Sequence, residues 1–104
     1  MRYDRMDPEA VDELIESAKH YEKRQSGLGN EFLADVRDAI ERILADPDTG
    51  LSAEEEGLRV FFLRRFPFRI LFDVSVTPPF ILAVYHHRRN PKRLKTRKRK
   101  RGNR

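Results

Sequence analysis

The spacing of apolar positions changes near residue 58, and that change divides the chain. Upstream, "DPEAVDELIESAKHYEKRQSG" places Val11, Leu14, Ile15, Ala18 and Tyr21 at helical intervals, which predicts an amphipathic helix. Asp7 suits its N-cap, Pro8 the first helical position and Glu9 the positive end of the helix dipole; Gly27 ends it. A second helix is predicted from about Leu28 to Ala45. Phe32, Leu33, Val36, Ile40, Ile43 and Leu44 form its stripe, and Asp46-Pro47 stop it. A short glycine-containing link between two such helices implies an antiparallel hairpin.

Beyond the polar loop "PDTGLSAEEEG" the period becomes two. Leu58, Val60 and Phe62 alternate with Arg59, Phe61 and Leu63. In "FRILFDVSV", Phe68, Ile70, Phe72, Val74 and Val76 take one face, and Arg69, Leu71, Asp73 and Ser75 the other. After "TPP", the run "FILAVYHH" is almost continuously apolar, as in a strand buried on both faces. Short turns between these strands predict an antiparallel meander. "MRYDRM" offers a further short edge strand at the N-terminus. The expected class is α+β, in the order β-α-α-β-β-β, with the helical pair packed on one sheet face.

At 104 residues this is one domain with a modest core, since hydrophobic and charged residues each make up 38% of it. The absence of cysteine excludes disulfides and thiolate metal sites. No stretch is apolar enough to span a bilayer or to act as a signal peptide, so no membrane partner is expected and a cytoplasmic location is. Charge alters the picture more. Residues 88–104 hold 11 of the 22 Lys and Arg and none of the acids, leaving 11 basic against 17 acidic side chains in the remainder. The expected division is a folded domain over 1–91 and a basic tail over 92–104. Such a tail attracts polyanions or acidic partners, or simply stays solvated.

The order of elements, with "YEKRQSGLGNEFLADVRDAIERILADP", then "GLRVFFLRRFPFRILFDV", then "ILAVYHHRRNP", resembles the RelE/ParE superfamily of type II toxins over about residues 7–94. The resemblance implies a small bacterial toxin held in a hetero-oligomer by a cognate antitoxin. It also implies one of two targets: the ribosome with its mRNA, which some members cleave, or DNA gyrase, which others poison. A degenerate member that only binds its antitoxin as a co-repressor is a third possibility. No cofactor or metal is implied.

Metal-free RNA cleavage needs a base for the 2′-hydroxyl, cations for the pentavalent phosphate and an acid for the leaving oxygen. By resemblance to mRNA-cleaving relatives, Arg59, Arg69, His86 and His87 are the candidate catalytic residues if the chain is a nuclease. Phe61 stands where a second strand cation would come, and Leu94 about where a terminal tyrosine would, so the set is partial. Each candidate also has a plain structural reading. Arg59 can be a solvated strand arginine, and Arg69 can pair with Asp73. The adjacent histidines must face opposite ways and so cannot readily share a metal. Glu54, Glu55 and Glu56 read as a solvated loop. Arg64, Arg65, Arg88, Arg89, Lys92 and Arg93 are candidate contacts to nucleic acid or antitoxin, on an open sheet face expected to be concave and positive.

Overall fold

The computed structural model describes residues 4–89. Helix α1 runs Pro8–Arg24 and α2 runs Leu28–Ala45, followed by strands β1 (Leu51–Ser52), β2 (Leu58–Phe62), β3 (Phe68–Asp73) and β4 (Phe80–His86). The strands form one antiparallel sheet in the order β1-β2-β3-β4. This is the expected α+β arrangement. Residues 1–3 of the expected N-terminal edge strand lie outside the description, and the described residues 4–6 show a single parallel bridge, Met6 to Ile81. There Ile81 donates to the Arg5 carbonyl and accepts from the Asp7 amide, each at 2.8 Å. The proposed tail, 92–104, lies outside the described residues.

The helix signals act as their chemistry dictates. The Asp7 carboxylate accepts from the Glu9 amide at 2.9 Å, filling one of the orphan donors of the α1 N-terminus. The hairpin is locked by a less obvious cap. Glu22, still within α1, accepts from Gly27 N at 2.9 Å and Gly29 N at 3.0 Å, so one carboxylate neutralises the start of α2. Gly27 holds φ +88°, a region that disfavours any side chain, while Gly29 lets the two helices touch.

One sheet face receives both helices. Leu14, Phe32, Val36 and Ile43 from the helices meet Ile70, Phe72, Ile81 and Val84 from the sheet. At one end Tyr21, Phe32, Phe66 and Phe68 interlock, Tyr21 tilted on Phe32 and the other contacts edge to face, with Phe32 and Phe68 centroids 4.9 Å apart. Contacts of this kind add roughly 0.5–1.5 kcal/mol per pair beyond the area they bury.

Three features depart from the sequence pattern. The polar loop contains β1, because Gly50 at φ +78° brings the chain against Val60 and Leu51 then pairs with Val60. β3 stops at Asp73, whose carboxylate accepts from Ser75 N at 2.8 Å and turns the chain. Val76 therefore packs with the cluster on the open face, away from Phe68 and Ile70. Finally, the β3–β4 register shifts by one residue between Leu71 and Phe72. As a result Leu82 and Ala83 both lie on the open face, while Ile81 and Val84 face the helices.

Candidate functional site

The face without helices carries the second cluster, built from Leu58, Leu71, Phe80, Leu82, Ala83 and Tyr85. Across it runs a groove of about 310 Å³ lined by Leu51, Ala53, Glu54, Val60, Phe62, Arg69, Leu71 and Tyr85, with Ser52 at the edge. The register explains this lining. Val60 lies opposite Leu71, and Phe62 opposite Arg69, which lies in turn opposite Tyr85. Leu51 and Phe62 remain 64% and 43% exposed, large apolar side chains left open to solvent at the groove wall.

Arg69 supplies the positive charge of the groove. Its guanidinium lies over the Phe62 ring at 4.6 Å from the centroid, a cation–π contact. The guanidinium does not fasten to Asp73, whose carboxylate is held by Ser75. Its Nε is buried with no hydrogen-bond partner among the described residues. Tyr85 is 3% exposed. Burial pushes its phenol above the ordinary value, while the Arg69 charge and a side-chain hydrogen bond from Arg69 pull it back.

Arg59 is elsewhere. It pairs with Phe72 in the sheet, so its side chain leaves by the helix-bearing face. Its guanidinium donates to the carbonyls of Asp48, Thr49 and Gly50 and to the Ser52 hydroxyl, at 2.7 to 3.0 Å. The side chain thus braces the loop that carries β1, using the backbone acceptors that the loop itself leaves unpaired. The two histidines pack on different aromatic rings, although their own centroids are only 6.3 Å apart, because β4 ends at His86 and His87 begins the turn. His86 packs against Phe68, 5.4 Å between ring centroids, and its Nδ1 accepts from the Arg88 amide. His87 packs against Phe62 at 5.6 Å and is the histidine at the groove end. The structure therefore gathers Arg69 and His87 around Phe62, keeps the His86 ring 6.3 Å from that of His87, and places Arg59 on the other face.

Among the described residues, the arginines flanking the strands mostly turn toward the helices. Arg65 pairs with Glu31 of α2 at 2.7 Å, and its amide donates to Asp35. Arg64 lies beside Asp35, Asp38 and Arg42 on the α2 side. Arg89 pairs with Glu13 of α1, and Arg88 is exposed. Lys92 and Arg93 lie outside the described residues, as does Leu94. Among the described residues the groove is largely apolar, with Arg69 as its cation; the basic C-terminal residues expected to make this face positive lie outside them. Glu54 lines the groove's far side; Glu55 and Glu56 do not. No cluster of side chains suited to a metal occurs among the described residues. No helix there is long and apolar enough to cross a membrane.

Sequence reasoning missed Tyr85. It sits in a run where nearly every residue is apolar, and only the register shift reveals that it shares a face with Arg69. The signal was the phenol itself, since a tyrosine near a strand end usually finds a polar partner when buried.

A helical hairpin lies on one face of a small antiparallel sheet, and Arg69 lines a groove on the other. The family model for the ParE toxin of type II toxin–antitoxin systems, parDE, matches residues 5–91. The chain belongs to that family, and so to the toxin half of a toxin–antitoxin pair, with an antitoxin as partner. Comparison with curated proteins returned no match.

Proposed function

We propose that this toxin acts by binding DNA gyrase and performs no RNA chemistry of its own. The observation that carries the reading is the separation of Arg59 from Arg69 by the thickness of the sheet. Phosphoryl-transfer catalysis needs its cations aimed at one oxygen cluster, within hydrogen-bond reach. Here one guanidinium is committed to loop carbonyls and the other lies on an aromatic ring in an apolar groove. An apolar groove flanked by exposed Phe62 and Leu51 suits a protein partner. Arg88, Lys92 and Arg93 supply long-range attraction toward the DNA such an enzyme holds.

One arrangement favours the alternative of a ribosome-dependent nuclease. Arg69, Tyr85 and His87 all border the Phe62 end of the groove, offering a cation, a phenol and an imidazole. Two assays run together separate the readings. Purified toxin added to gyrase should inhibit supercoiling of relaxed plasmid, and induction in cells should leave mRNA 5′ ends unchanged. Codon-phased mRNA cleavage that disappears in Arg69→Ala would replace gyrase binding with the nuclease reading.

A further inference from the structure

Charge of the two signs is kept apart in this chain. Residues 88–104 carry 11 Lys and Arg with no acid, whereas residues 1–87 carry 11 against 17 acids. The fold is therefore net negative. It also answers several of its own cations: Arg59 is engaged by loop carbonyls, Arg65 by Glu31, Arg37 by Asp38 and Lys19 by Glu16. A polyanion that comes within a screening length of the fold, about 8–10 Å, is repelled by its net charge. Attraction has to come from the C-terminal segment.

The composition of that segment selects the polyanion. Residues 88–104 include no aromatic side chain and one large apolar one, Leu94. Single-stranded nucleic acid is gripped by aromatic side chains that stack its bases. An anionic membrane surface is held by apolar side chains that enter it beside the charges. A dense run of cations with neither suits the double helix, where it displaces counterions from phosphates spaced about every 1.7 Å of axis.

We propose that residues 92–104 bind duplex DNA through its phosphate backbone, without regard to sequence, and so hold the toxin on DNA. The inference goes beyond gyrase binding and stands without it. The segment starts from a fixed root. The Arg88 amide donates to His86 Nδ1 at 3.1 Å and the Arg89 amide to the His86 carbonyl at 2.9 Å, while the Arg89 guanidinium pairs with Glu13 of α1. DNA held by the 13 residues after Pro91 thus stays within roughly 45 Å of that root, the full reach of an extended chain of this length.

The test titrates full-length protein, by fluorescence anisotropy, into two unrelated DNA duplexes of about 20 base pairs and a single strand of the same length. Co-sedimentation measures binding to vesicles of equal parts phosphatidylglycerol and phosphatidylcholine. The two duplexes should bind within about twofold of each other and several-fold more tightly than the single strand or the vesicles. Log affinity for duplex should fall against log salt with a slope of roughly −5 or steeper, as six or more neutralised phosphates require. A variant carrying Arg97→Gln, Lys98→Gln, Arg99→Gln, Lys100→Gln and Arg101→Gln together should flatten that slope by roughly 3–4. Its thermal melt should match wild type, since no apolar side chain is removed. Should it melt lower, the salt slope and ligand order of the wild-type protein decide alone. Tighter binding to the single strand or to the vesicles would overturn the proposal. So would a preference above about tenfold between the duplexes, or an unchanged slope in the folded variant, which would put the phosphates on the fold. Gyrase is absent from every arm, so a failed supercoiling assay and failed DNA binding are separate results.

Discussion

Arg59 and Arg69 occupy neighbouring strands yet project from opposite faces of the sheet, because Arg59 pairs with Phe72 and Arg69 with Phe62 and Tyr85. The two residues have the same chemistry and different work. Arg59→Ala should cost about 1–3 kcal/mol of stability, since it strands loop carbonyls that now accept from the guanidinium. Urea denaturation measures it. Toxicity per unit of folded protein should be unchanged; a toxicity loss with unaltered stability would show that Arg59 reaches a target.

The contact between the helices is equally specific. A Cβ at Gly29 would stand 2.7 Å from the Ala18 carbonyl oxygen and 3.0 Å from Glu22 Oε1. The first neighbour is backbone, so the helices must part. Gly29→Ala should destabilise by roughly 1–3 kcal/mol despite its better helix propensity. A thermal melt at or above the wild-type temperature would mean that the hairpin yields more easily than its geometry implies.

Alkaline pH should loosen the fold through its phenols. Tyr21 and Tyr85 are both raised above the ordinary value of 10.0, in each case first by burial. Their folded forms keep a proton that the unfolded chain gives up. The stability they contribute is therefore complete below about pH 10 and lost as pH rises through the folded values. Because Arg69 lowers the Tyr85 value, Arg69→Ala should move it further up. Near-ultraviolet titration in a Tyr3→Phe, Tyr21→Phe background reads Tyr85 alone. A downward movement would show that Arg69 is not its neighbour in solution.

Phe62 should separate binding from stability. Its ring is 43% exposed, and it carries the Arg69 guanidinium. Phe62→Ala should change unfolding free energy by about 1 kcal/mol or less while weakening antitoxin binding at least tenfold, as loss of an aromatic anchor does. Calorimetric titration against its cognate antitoxin gives the second number. Unchanged affinity would place the interface on another face.

The helices were legible because their signals are local. Asp7, Pro8 and the apolar stripes fix α1 and α2 within the chain's own neighbourhood, and both elements run where the spacing predicts. The two-residue β1 was not, since it has no period to detect and exists through a glycine at positive φ and an arginine brace. Arg69 on the open face followed from alternation alone. The fate of Arg59 did not, because its acceptors are backbone carbonyls, which every sequence contains. Tyr85 was hidden by the same nonlocality, as its face depends on the strand beside it.

The one-residue slip in the last strand decides which chemistry is shown to the outside. Had pairing run evenly onward from Phe80, the alternation would turn Val84 and His86 outward and bury Tyr85 beneath the helices. The extra residue at Leu82 and Ala83 resets the phase, so the second half of the strand is written in the opposite sense to the first. It is a frameshift in space: no side chain is altered, yet the open face carries a phenol beside the arginine in place of an imidazole.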